Sequence, residues 1–255
     1  MLDKVIYIAR EAGEILRGGF GKNFSIEYKT NVANLVTEYD KKSEKIIIDF
    51  IKKEFPTHSV LAEESGSHES TGEYLWVIDP LDGTTNFAHG LPIFSVSIGV
   101  QKNGEMICGV VYDIMRDAMY SAEKGSGAFC NGRKLNVSTN DDLHKSVLVT
   151  GFPYNVHENP DNAYERFASF LRVARAVRRL GSAAIDMCYV AEGVFDGFWE
   201  VSLNAWDMAA GKLLIEEARG VVTDFAGKPM NIFDKQILAS NGKVHKAMID
   251  VMNNM

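Results

Sequence analysis

The chain has 255 residues, 46% of them hydrophobic and 24% charged, which is ordinary for a globular protein and leaves room for one large domain or two compact halves. A net charge of -7 and an isoelectric point near 5.4 leave no basic surplus to neutralise phosphates, which excludes a general nucleic-acid binder. No apolar run approaches the roughly 18 residues of a membrane span. Cys108, Cys130 and Cys188 are scattered and free of CxxC spacing, as expected of reduced, buried thiols in a cytoplasmic protein.

Leu2, Val5, Ala9, Ala12 and Leu16 fall at helical spacing, which predicts an amphipathic first helix stopped by Gly18-Gly19 and not a signal peptide. The polar stretch EYKTNVANLVTEYD reads as a loop. At its end, Thr37 and Asp40 have capping-box spacing and open a second helix through Ile46, Ile47, Phe50 and Ile51, ended by Pro56. Short strands are expected at SVLAEE, YLWVID, FSVSIGVQ, GEMICGVVYD and AMYSAEKG. Asn103-Gly104 marks a hairpin, and Gly125, Gly127, Asn131 and Gly132 mark further turns. The first half (1–142) thus reads as two helices beside a mostly antiparallel sheet.

The second half (143–255) changes rhythm. A strand at SVLVTG precedes a polar loop and a helix from Ala163, and a strand at ARAVRRL runs into Gly181-Ser182, which opens a helix through Ile185 and Cys188. Strand FDGFWEV, helix WDMAAGKLLIEEAR, strand VVTDF, a turn at Gly227 and a final helix follow. Strands alternating with helices imply an α/β half with its strands buried between helical layers. Arg172, Arg175, Arg178 and Arg179 form a local basic cluster that reads as a solvated helix face.

The segment WVIDPLDGTTNF carries the chemistry. Asp79 and Asp82 flank Pro80 and Leu81 where a buried strand ends. One reading is a turn, which these residue types favour; the other is a metal site. Gly83-Thr84-Thr85-Asn86 supplies backbone N–H groups that can approach an anion, Glu63 and Glu64 end a neighbouring strand, and Asp207 falls in the first turn of a long apolar helix. Oxygen ligands without histidine suit a hard cation such as Mg²⁺. An EF-hand loop fails because glycine comes fifth from Asp79, and the Asp-x-Asp-Gly-Thr of haloacid-dehalogenase-type phosphatases fails by one residue. The six dispersed histidines, Trp76 and Trp199 read as packing or surface residues.

LAEES (61–65), WVIDPLDGTTNF (76–87) and WDMAAGKLLIEEARGVVTD (206–224) resemble the signature blocks of the inositol monophosphatase family. LVTEYD (35–40), GSGAFCNGRK (125–134) and RRLGSAAIDMCYVAEGVFDGFWE (178–200) extend the resemblance across nearly the whole chain. It implies a single domain with the layered αβαβα sandwich of that family, its first half holding the metal site and its second completing the substrate site. The metal ligands implied are Glu63, Asp79, the Leu81 carbonyl, Asp82 and Asp207, serving two or three Mg²⁺ ions. Thr84 and Glu63 would position the attacking water, with Asp40 behind Thr84, and Gly83 and Thr84 amides would hold the phosphate. Asp82, Gly181, Ser182, Ala183, Glu200 and Asp207 match substrate contacts.

The activity implied is Mg²⁺-dependent, lithium-sensitive hydrolysis of myo-inositol 1-phosphate, or a similar small polyol phosphate, by metal-activated water. Fructose 1,6-bisphosphate, histidinol phosphate and NADP are the alternative substrates. The resemblance also implies a homodimer, no membrane or direct nucleic-acid partner, and a transcription-machinery partner as an alternative role. A mobile loop around Lys29 is implied over the site. Asn34 stands where an acid is expected, so a metal contact through that stretch is not implied.

Overall fold

The computed structural model describes residues 1–29 and 34–254. Residues 30–33, to which the implied mobile loop extends, lie outside the described residues. Helix α1 (Leu2–Gly19) is followed by β1 (Ile26–Tyr28), β2 (Leu35–Thr37), α2 (Glu38–Glu54), β3 (Ser59–Ala62), β4 (Gly66–His68), β5 (Tyr74–Asp82) and the short α3 (Thr84–Ala88). Then come β6 (Ser95–Lys102), β7 (Glu105–Asp113), β8 (Ala118–Glu123), β9 (Gly127–Cys130) and β10 (Arg133–Lys134). The remainder comprises β11 (Val147–Thr150), α4 (Ala163–Val173), β12 (Ala176–Arg178), α5 (Ala183–Ala191), β13 (Gly197–Val201), α6 (Ala205–Glu217), β14 (Val221–Thr223), β15 (Gln236–Ser240) and α7 (His245–Asn253).

The strands form an eight-stranded sheet, β10-β9-β8-β7-β6-β5-β3-β4, and a five-stranded one, β12-β11-β13-β15-β14. The first is antiparallel except where β3 runs parallel to β5. Side-chain alternation sorts the layers. Trp76 and Ile78 of β5, with Val110 and Tyr112 of β7, pack against Val5, Ile8 and Ile47 of α1 and α2. Val77 and Val111 point the other way, into a core shared with α5, α6 and the inner face of the second sheet. Leu148, Trp199 and Leu238 face outward from that sheet onto α4 and α7. The order is therefore α1/α2, first sheet, α5/α6, second sheet, α4/α7, the expected αβαβα sandwich.

Three expectations change. Helix α1 runs through Gly18 and Gly19, because Gly19 lies directly against the Tyr39 ring and the helix ends only at Phe20. The stretch read as a loop holds β2 and all of β1 but its first residue, paired antiparallel with Glu27 opposite Val36. Strand β15 is absent from the sequence expectations, yet it lies second from the edge and pairs antiparallel with both β13 and β14, so the second half is mixed rather than wholly α/β. Its five residues are too short a run for periodicity to separate strand from buried helix.

Helix α6 lies close against the first sheet. A Cβ on Gly99 of β6 would stand 2.7 Å from the Ala209 Cβ. Glycine there lets α6 rest directly on the sheet, with its N-terminal turn beside the end of β5. No helix among the described residues is long and apolar enough to cross a membrane.

Candidate active site

The expected turn at Asp79–Asp82 is a strand with a bulge. Strand β5 continues through Asp82, and its register on β6 slips between Asp79, opposite Ser97, and Asp82, opposite Ser95. Pro80 has no N–H to give a ladder, and a bulge is one of the few places in a sheet that tolerates it. The extra residue re-aims the chain, and the Leu81 N–H is taken by Asp79 Oδ1 at 3.0 Å. Direction reverses only at Gly83, whose φ of 93° is left-handed and whose Cβ position is 3.0 Å from the Ile93 carbonyl. Glycine satisfies both demands, and α3 starts at the next residue.

These elements border a cavity of about 840 Å³ that includes Glu63, Asp79, Leu81, Asp82, Gly83 and Thr84. Asp207 joins them from the head of α6, and Gly181, Ser182, Ala183 and Glu200 complete the lining, so the sequence-predicted residues other than Asp40 share one cavity. Asp40 is fully buried behind the lining and reaches the cavity through Thr84, whose Oγ1 donates to Asp40 Oδ1 (2.9 Å) and also lies 3.0 Å from the Leu81 carbonyl oxygen. Asp40 is itself held by the capping box of α2: its Oδ2 accepts from the Thr37 N–H (2.8 Å) and hydroxyl (2.6 Å). Burial raises its carboxyl to about 6, against those hydrogen bonds.

Asp207 repeats the device at α6, where its Oδ2 accepts the Asn204 N–H at 2.6 Å. Asp82 is fixed from the second half of the chain. Its carboxylate accepts from the Ser182 hydroxyl and from the Ala183 (3.2 Å) and Ala184 (3.0 Å) amides at the start of α5. Ser182 in turn caps α5. Burial lifts the Asp82 carboxyl to about 6 despite these donors. Asp79 is pushed well above the carboxylate range by burial and then by Glu63, Asp82 and Asp207. Asp207 is raised by burial and Glu63, and Glu200 by burial and then Asp207 and Asp82.

Like charges crowded in this way are relieved by taking up protons or by a bound cation. Among the described residues, no three Asp, Glu, His or Cys side chains are drawn close enough to form a finished ion cage. At the cluster's edge, Lys29 Nζ bridges Glu63 Oε1 (2.9 Å) and Glu64 Oε1 (2.5 Å). Burial opposes the Lys29 charge, but Glu63 and Glu64 outweigh it and hold the ammonium above its usual range. Glu64 is raised to about 7 by burial and Glu63. Oxygen-only donors, buried, mutually repelling and short of positive charge, are the donor set that a hard cation fits. The residues present therefore suit Mg²⁺.

Some contributors were not read from the sequence. Asn86 Nδ2 donates to the Ile93 and Leu180 carbonyls, both at 2.8 Å, tying α3 to the segment before α5; no local signal marks it. Asp186 also lines the cavity, and its signal was legible as the only charge in the apolar run AAIDMCYVA. The basic cluster is not a helix face. Helix α4 stops at Val173, so Arg172 is in its last turn and Arg178 in β12, with Arg175 before that strand and Arg179 after it. All four are exposed, and Arg179 borders the cavity with its guanidinium 5.6 Å from the Phe152 ring centre. The cysteines are buried and free as expected. His89 borders the cavity, whereas His58 is stacked between the rings of Phe55 and Tyr74.

The sequence profile of the inositol monophosphatase family matches residues 1–254. The chain belongs to the inositol monophosphatase family. It is 43% identical over 238 residues to the inositol-1-monophosphatase of Synechocystis sp., covering 93% of this chain and 83% of that one. It is 41% identical over 256 residues to the Nus factor SuhB of Escherichia coli K12, covering 100% and 96%. The solved structure of inositol monophosphatase from Anabaena superimposes with a TM-score of 0.90 at 42% identity, covering 100% and 95%. The carboxylates and Thr84 of the cavity thus lie in the fold of a phosphatase family.

Proposed function

We propose that this chain is a Mg²⁺-dependent phosphomonoesterase acting on myo-inositol 1-phosphate or a similar small polyol phosphate. The observation that carries the reading is the Thr84 hydroxyl, pinned between Asp40 and the Leu81 carbonyl at the edge of an acidic cavity suited to a hard cation. The inositol-1-monophosphatase of Synechocystis supports the substrate class.

Glu63, Asp79, the Leu81 carbonyl, Asp82 and Asp207 would hold two or three Mg²⁺ ions. When bound, Mg²⁺ supplies Lewis acidity and neutralises the charge of the transferring phosphoryl group. Thr84 and Glu63 orient the attacking water. Because the Thr84 proton points to Asp40, its oxygen is left to accept from that water and to hold it in line. Asp40, raised to about 6, is basic enough to accept a proton relayed through Thr84. The Gly83 and Thr84 amides hold phosphate oxygens. Glu200, which accepts the Gly151 N–H, faces the polyol with Ala183, Gly181 and Ser182 beside it. Lithium sensitivity, a homodimeric state and a cytoplasmic location belong to the same reading.

Phosphate release from inositol 1-phosphate, fructose 1,6-bisphosphate, histidinol phosphate and NADP, each with and without Mg²⁺, tests it. The expected result is Mg²⁺-dependent turnover with the polyol monophosphate preferred; preference for any of the other three would overturn the substrate assignment. A second role is favoured by the Nus factor name of the E. coli relative. On that reading the exposed arginines around Arg178 meet a transcription-machinery partner, and retention of RNA polymerase by the immobilised protein is the check.

A further inference from the structure

Among the described residues, Asp186 is the one buried carboxyl of the cavity wall with no partner. It is fully closed to bulk solvent, and neither of its oxygens has a hydrogen-bond partner there. Buried polar groups are paired in nearly all native structures, and leaving a charged one unpaired costs several-fold more than a normal hydrogen bond returns. The bland account is a helix-start aspartate stabilised by the α5 dipole. That account fails on geometry, because the free amides at the head of α5 are taken by others: Ala183 and Ala184 donate to Asp82, and Ile185 to Ser182 Oγ. Asp186 borders the cavity instead, on the side where Glu200 also lines it. Burial raises its carboxyl first, then Glu200 and Asp82, while Arg179 lowers it.

We infer that Asp186 is a specificity residue which, with Glu200, accepts hydrogen bonds from the hydroxyl framework of a polyol phosphate, directly or across one enclosed water. The inference rests on the phosphatase reading and deepens it. A polyol brings the donors that Asp186 lacks. A substrate body without hydroxyls leaves the buried Asp186 carboxyl unsatisfied, and a site built to bond a hydroxyl discriminates against an analogue lacking it. No hydrogen bond ties Asp186 to Thr84, Asp40 or Asp82 among the described residues, and its expected contribution is to substrate choice.

The test compares wild type with Asp186→Asn and Asp186→Leu, using inositol 1-phosphate and p-nitrophenyl phosphate with Mg²⁺. The ratio of kcat/KM for the polyol over the aryl ester is expected to fall about 10- to 100-fold, the factor for one hydrogen bond to a charged group. Thermal melting supplies the second readout. Removing an unpartnered buried carboxyl in Asp186→Leu is expected to raise Tm by about 2–4 °C, whereas a structural role would lower it. An unchanged ratio, or an equal loss on both esters, overturns the inference, and so does a wild type that cleaves the aryl ester and ignores the polyol. A wild type inert toward both esters in Mg²⁺ overturns the phosphatase reading beneath it.

Discussion

The two walls of the cavity treat their carboxylates differently. On the wall built by the first sheet and the heads of α2 and α6, each carboxylate is tied by the protein itself. Asp79 takes the Leu81 N–H, Asp82 the Ser182 hydroxyl and two α5 amides, and Glu63 the Lys29 ammonium. Asp40 and Asp207 are each locked into a capping box. On the opposite wall Glu200 has the Gly151 N–H, and Asp186 has no hydrogen-bond partner among the described residues. The lesson is a division of labour. On the proposed function, the groups placed before substrate arrives are held by secondary-structure devices, while Asp186 is left for the substrate to satisfy.

Breaking the first wall should abolish chemistry for every ester alike. Asp82→Asn is expected to lower Mg²⁺-dependent kcat about 10²- to 10³-fold, the scale for losing one fixed electrostatic group, on polyol and aryl phosphates equally. Far-ultraviolet circular dichroism should be unchanged. A loss confined to the polyol would erase the distinction between the walls.

Thr84→Ala is next, at about 10²-fold, with the stronger pH dependence of the relay also removed. Asp40→Asn should share that loss and additionally cost about 1 kcal/mol of stability through the α2 capping box, read by urea denaturation. If Asp40→Asn lost activity without any stability, the claim that capping positions it would fall.

On the second wall, Glu200→Gln should lower the polyol-to-aryl kcat/KM ratio by about tenfold while leaving the Mg²⁺ dependence of aryl-ester cleavage in place. An equal loss on both esters would merge the walls.

The smallest effect concerns folding of the metal-free chain. Asp40 and Asp82 are raised to about 6 and Glu64 to about 7, above the unfolded carboxylate range. The folded state therefore binds more protons than the unfolded one, and stability falls as pH rises from about 4 through about 7. Without metal, Tm should be lower at about pH 7.5 than at about pH 5, and Mg²⁺ should narrow the gap by compensating the ionised cluster. A metal-free Tm that rises over that range would contradict the crowding.

Sequence and structure agree where a local rule applies. The Thr37/Asp40 box, the Asn103-Gly104 hairpin and the Ser182-headed helix all obey short-range spacing, and all form as expected. The family blocks carried the candidate residues to their places around one cavity. What stayed hidden depends on the partner. The bulge at Pro80 exists only against β6, Asn86 finds its acceptors on a segment far along the chain, and β15 is a strand only because β13 and β14 flank it. Asp186 falls between these cases: a lone acid in an apolar helix was visible, but its lack of a partner was not.

Whether the tied wall holds Mg²⁺ for phosphate-ester hydrolysis is decided by phosphate release from myo-inositol 1-phosphate, with the full chain stripped by chelator and then titrated with Mg²⁺. The expected outcome is no turnover in the stripped protein, recovery with Mg²⁺, and no recovery in Asp82→Asn. Equal turnover before and after stripping, or full recovery in that variant, would refute a metal role for this wall.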